Sequence, residues 1–205
     1  MNTTNVFAQL PEDLYKHLTV TSGVVLGNFD PTSELDRETV KSNILFATDG
    51  GVNPVFTYTY KDLAEGIDNC PTNTMELMRV ESTSAVMSGT AKTITTETLP
   101  RFLAHADVSG VDIVEITPRK IIEMSDFKSY WHVCPYGVDG FIAIHLKNAL
   151  NTGGFNWQTA NNDKGSFPFT FTGFSSLENP DEIPFKVYVK ESSSADVTEV
   201  IPTTD

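Results

Sequence analysis

Four histidines and two cysteines are the residues of this chain best suited to hold a metal or to begin covalent chemistry. His17, His105, His132 and His145 are far apart in sequence. Only His132 and Cys134 have a suggestive spacing, i and i+2, which puts both on one face of a strand. Zinc requires a fuller ligand set, and neither a C-x-x-C nor an H-E-x-x-H pattern is present. No G-x-S-x-G turn presents a nucleophilic serine, and Cys134 reads as a small buried hydrophobe. The sequence has no P-loop and no G-x-G-x-x-G, so Gly50-Gly51 and Gly153-Gly154 read as turn glycines. Carboxylates such as Glu34, Asp36 and Glu38, or Asp181 and Glu182, read as solvated loop charges rather than as an acid–base pair. These residues lead us to expect no catalytic site, no metal and no cofactor.

The charge balance points the same way. The 205 residues carry 14 Lys and Arg against 27 Asp and Glu, a formal charge of −13. A protein that grips DNA replaces phosphate counterions with its own cations, and this balance is the wrong sign. Two cysteines make no disulfide framework. The first ten residues have neither a basic stretch nor a continuous apolar one, so a signal peptide is not expected, and no apolar run reaches the roughly 20 residues of a membrane span. We expect synthesis and folding in a cytoplasm.

The elements read as mainly β. Phe is frequent, with 13 copies, and Thr, Val, Ile and Tyr recur in strand-like alternation. Strands are expected over 18–29, 44–46, 55–60, 81–95, 111–117, 120–124, 129–134, 140–148 and 184–190. A hairpin is expected from 155–160 and 166–172, with Pro168 marking an edge strand or a bulge. Thr48-Asp49-Gly50-Gly51 signals a turn, and single helical turns are expected near 62–66 and 75–78. Leu99, Phe102, Leu103 and Ala106 form one apolar stripe, which predicts a helix over 98–107 lying on a sheet. Residues 30–43 show no clear period and read as a long loop, hence an interface candidate through Asp30, Glu34, Asp36, Arg37, Glu38 and Lys41. Phe155, Trp157, Phe167, Phe169 and Phe171 alternate along two strands. They form either the inner face of a sandwich or a sugar-binding or subunit-binding surface. The whole reads as one domain over 1–190, with an arm at 1–17 and a polar acidic tail at 191–205.

Three stretches in order carry a resemblance: Gly140-Phe-Ile-Ala-Ile-His-Leu-Lys-Asn-Ala-Leu-Asn-Thr-Gly-Gly-Phe155, Lys164-Gly-Ser-Phe-Pro-Phe-Thr-Phe-Thr-Gly173 and Ile183-Pro-Phe-Lys-Val-Tyr-Val189. Upstream, Glu65-Gly-Ile-Asp-Asn-Cys-Pro71, Met75-Glu-Leu77 and Met87-Ser-Gly-Thr90 follow the same pattern. The chain resembles the major tail tube proteins of long, non-contractile-tailed bacteriophages and prophages of Gram-positive bacteria. The resemblance implies a β-sandwich or barrel-like fold with one short flanking helix and a long inter-strand loop that bridges rings. It also implies hexameric rings stacked around a tape measure protein, bounded by tail initiator or baseplate and terminator proteins, with DNA passing through without stable binding. The location it implies is the virion, after assembly in the host cytoplasm. Other readings are a carbohydrate-binding or adhesion module, a small hydrolase, and the tube of a contractile tail or phage-like particle.

Overall fold

The computed structural model describes residues 19, 21–33, 36–137, 139–159 and 161–191. The expected arm at 1–17, Glu34, and the tail beyond Glu191 lie outside the described residues. Ten strands are described: β1 (Val24–Leu26), β2 (Ile44–Phe46), β3 (Thr48–Asp62), β4 (Met78–Ala91), β5 (Ala106–Ser109), β6 (Glu115–Pro118), β7 (Lys128–Tyr136), β8 (Gly140–Asn151), β9 (Phe167–Gly173) and β10 (Phe185–Lys190). Two short helices join them, α1 (Arg37–Ser42) and α2 (Leu99–Phe102). The fold is mainly β, as the alternation predicted.

Eight of the strands form one antiparallel sheet in the order β2-β1-β7-β8-β9-β4-β3, with β10 also on β8. This sheet curls around its core. Phe46 of β2 packs against Phe169 and Phe171 of β9, at centroid distances of 5.2 and 6.5 Å, although three strands separate β2 from β9. The two ends of the path are also consecutive in sequence, β2 passing into β3 through Ala47, whose carbonyl accepts from the Lys92 amide. The result is barrel-like.

β8 changes partners along its length, pairing with β10 over 141–146 and with β9 over 149–151. Asn148, between the two pairings, has a φ of +47°, a left-handed conformation that Asn tolerates better than most residues. Inside the curl lie Val25, Met87, Phe102, Tyr130, Leu146 and the three phenylalanines of β9. A second cluster on the outer face of β1, β7 and β8 contains Leu26, Trp131, Val133, Phe141 and Ala143, covered by Phe29 and by Val40 of α1. Residues 130–133 are therefore buried from both sides, which is why they show no polar alternation.

Several sequence expectations change. Residues 30–43 are not a free loop. The Asp36 carboxylate caps α1 by accepting from the Thr39 amide and hydroxyl at 3.0 and 2.7 Å, and Val40 anchors the helix to the second cluster. The helix over 98–107 shrinks to Leu99–Phe102. Ala104 turns left-handed at φ +67°, and Ala106 joins β5 opposite Pro118. Residues 120–124 form no strand; the last of them, Met124, opens a 3-10 turn over Met124–Asp126, and a second such turn fills Met75–Leu77, within the helical turn expected there. The expected turn at 48–51 is a bulge inside β3, and 63–66 is a simple turn. The hairpin across 161–165 reduces to a single bridge, Gln158 to Ser166. β9 lies between β8 and β4, not at an edge. Its ladder to β8 covers only Phe171–Gly173, so Pro168 faces a strand on one side alone and costs no hydrogen bond to β8.

Candidate assembly surfaces

Among the described residues, His132 and Cys134 meet but do not make a reactive pair. His132 Nε2 donates to the Ser22 carbonyl at 3.0 Å, and Cys134 Sγ lies 3.5 Å from the same nitrogen. A carbonyl can only accept, so that nitrogen carries the proton and cannot take one from the thiol. Burial pushes the Cys134 thiol up and the His132 imidazole down, so both stay neutral. Sequence spacing missed a second pair, Ser129 Oγ and His145 Nε2 at 2.5 Å on neighbouring strands. The imidazole lies flat on Trp131 at 3.8 Å, and burial, aided by Lys147 and Lys186, lowers its pKa to about 4. Glu182, the nearby carboxylate, is engaged by Lys147 at 2.8 Å and Lys186 at 3.4 Å. Among the described residues no group of three or more His, Cys, Asp or Glu could hold a metal ion, and no helix is long and apolar enough to cross a membrane.

The five aromatics split by location. Phe167, Phe169 and Phe171 are core. Phe155 and Trp157 lie outside, with Trp157 61% exposed and stacked on Phe167 at 5.8 Å. The buried Asn151 holds this corner together. Its amide donates to the Phe102 carbonyl at 2.7 Å, and its side-chain oxygen accepts from the Thr170 amide at 2.9 Å.

The most conspicuous surface is the hairpin of β3 and β4. β9 pairs with β4 only as far as Val86, so the stretch from Val86 to Met78 projects as a two-stranded ribbon of roughly 25 Å, at about 3.3 Å per residue. Phe56, Tyr58 and Tyr60 form a ring ladder along one face, with centroids 4.6 and 5.9 Å apart. Phe56 stacks on Phe185, but Tyr58 and Tyr60 have no sheet beneath them and are exposed. Lys61 and Arg79 stand directly opposite each other near the end of the ribbon, and neither has an acidic partner among the described residues. Asp62 orders the ribbon's end by accepting from the Ala64 and Asn73 amides at 2.8 and 2.7 Å, bonds that hold its carboxyl below its usual range. The outer edge of β3 pairs with no other described strand. The sequence signal was present, since Tyr58 and Tyr60 alternate with threonines, but alternation does not say whether anything lies beneath.

A smaller arm, β5 and β6, leaves the body beside α2. Arg119 fastens its root through Asp107 at 2.9 Å, Glu123 at 2.8 Å and Asp126 at 2.6 Å. Its tip turns on Gly110 at φ +91°, where a Cβ would collide with the Ile113 carbonyl. Of the loop candidates, Asp30 folds back to accept from Thr32 and lies beside α1, while Arg37 and Lys41 line an open pit of about 500 Å³ with Val40 and Ile44. Glu38 is exposed on the same helix.

No protein-family profile matches the chain, and no curated protein matches it. Among solved structures, a chain from the virion of a native gene transfer agent particle superposes with a TM-score of 0.40 and 11% identity, covering 76% of this chain and 92% of that one.

Proposed function

We propose that the chain is a non-enzymatic structural subunit of a bacteriophage virion. In this reading it polymerises with copies of itself into stacked hexameric rings that form the tube of a long, non-contractile tail, through which DNA leaves for the host. One observation carries the reading: a long β-ribbon, open along its outer edge, projects from the body with exposed tyrosines. An open strand edge of this kind invites pairing with another chain, and natural proteins usually blunt it unless it is used. The ordered motifs of the C-terminal half, which resemble tail tube proteins, supply the kind of assembly. Acidic side chains facing a bore would repel phosphates and let DNA slide without sticking. The tape measure protein, an initiator or baseplate, and a terminator are the further partners of such a tube.

The test compares wild-type protein with the Tyr58→Ser/Tyr60→Ser double variant by light scattering and negative-stain microscopy across a concentration series. Rings or tubes are expected from the wild type. The variant should stay monomeric with an unfolding free energy within about 0.5 kcal/mol, because exposed substitutions seldom cost more. A wild type that remains monodisperse at every concentration, with or without an initiator complex, would sink the proposal. The exposed Trp157 favours a second reading as a sugar-binding module. That reading predicts quenching of Trp157 fluorescence by soluble oligosaccharides.

A further inference from the structure

The tip of the β5–β6 arm is bare of packing partners among the described residues. Val111 is 94% and Ile113 84% exposed, and Asp112 between them is exposed as well. Branched apolar residues so bare are notable on an arm that the Arg119 clamp holds in place and whose turn requires Gly110. The hairpin 106–118 carries three acids, Asp107, Asp112 and Glu115, and no base. Its complement is the pit beside α1. The floor there is apolar, from Val40 and the 40% exposed Ile44, and the rim has Arg37 and Lys41, neither with an acidic partner among the described residues. Asp36 also lines the pit and stays ionised, since the Thr39 amide and hydroxyl that donate to its carboxylate favour the charged form. Arg37 and Lys41 against Asp36 still leave the lining net positive, in a chain whose net charge is −13.

We propose that the Val111-Asp112-Ile113 tip of one copy seats in the α1 pit of a second copy, the two apolar side chains over Val40 and Ile44 and the Asp112 carboxylate between Arg37 and Lys41. The inference rests on the self-assembly reading in taking another copy as the occupant. Charge complementarity supports that choice, since two copies that repel overall meet most favourably where the exposed Asp112 of one finds Arg37 and Lys41 of the other. Tip and pit are different surfaces, so the contact is head-to-tail and can repeat from copy to copy. Two branched side chains bury about 60–120 Å² each, well short of the ~800 Å² per partner of a stable pair. The contact therefore acts as one of several within a larger assembly.

The test places the photocrosslinking residue p-benzoylphenylalanine at position 113 and mixes isotopically light and heavy full-length protein at assembling concentration. Crosslinks between copies should map to 36–44. Asp112→Lys should lower their yield about five-fold or more, and Arg37→Glu with Lys41→Glu in the same chain should restore it, with circular dichroism checking that each variant is folded. Crosslinks that map elsewhere, no crosslinks, or a yield indifferent to Asp112→Lys would overturn the contact. Tubes unaffected by Asp112→Lys would overturn it while leaving the tube reading intact. Crosslinks to 36–44 without rings or tubes would support the contact and count against the tube.

Discussion

At the scale of single residues, His145 shows how neighbours decide what a side chain can do. From sequence it is a polar position on a strand; in the fold it lies against Trp131, accepts or donates one bond with Ser129, and sits near two lysines. Its pKa falls from the usual 6.5 to about 4, mainly through burial, and His132 shifts in the same direction for the same reason. The unfolded chain therefore binds more protons than the folded one between those values, and stability rises with pH through that window. We expect the urea midpoint to drop as pH falls from about 6.5 towards 4.5, before the hydrogen-bonded carboxylates begin to protonate. His145→Gln should flatten the slope. A wild-type midpoint constant from pH 7 to 4.5 would contradict the assignment.

At the scale of elements, the ribbon and the two short helices depart most from their sequence patterns. A helix over 98–107 has a sound apolar stripe, yet Phe102 alone reaches the core, because Ala104 turns left-handed and the chain gains cross-strand partners in β5 instead. α1 was hidden because six residues are too few for a period to emerge, although Asp36 is a standard cap. On the ribbon, Lys61 opposite Arg79 is a like-charge pair, unfavourable for an isolated hairpin. Lys61→Glu should stabilise the free subunit by about 0.2–1 kcal/mol in urea unfolding. If the pair meets an acidic neighbour, the same change should raise the concentration needed for assembly. A variant both less stable and better at assembling would refute this account of the pair.

At the scale of the whole molecule, the balance of 14 basic against 27 acidic residues sets the long-range force between copies in the proposed assembly. Like-charged subunits repel over roughly the Debye length, about 30 Å at 0.01 M salt and 8 Å at 0.15 M. Self-association should therefore be slower and weaker at low ionic strength and improve towards 0.15 M, measured by light-scattering onset. Assembly that weakens steadily as salt rises would mean that attractive ion pairs dominate the contacts.

The mainly-β class, the strands around 44–46, 55–60, 129–134, 140–148 and 184–190, and the acidic balance were all legible in the residues before any fold was known. These follow from local alternation and composition, which each segment carries alone. Tertiary structure decided which apolar faces are covered. It put Phe167, Phe169 and Phe171 inside while leaving Phe155 and Trp157 outside, and it folded Val40 onto a second core cluster. It also let β8 trade one partner for another at Asn148, and it carried Tyr58 and Tyr60 beyond the last strand that could cover them. Period two marks a strand with two different faces. What lies against each face depends on residues tens to a hundred positions away, and those become neighbours only once the sheet has curled.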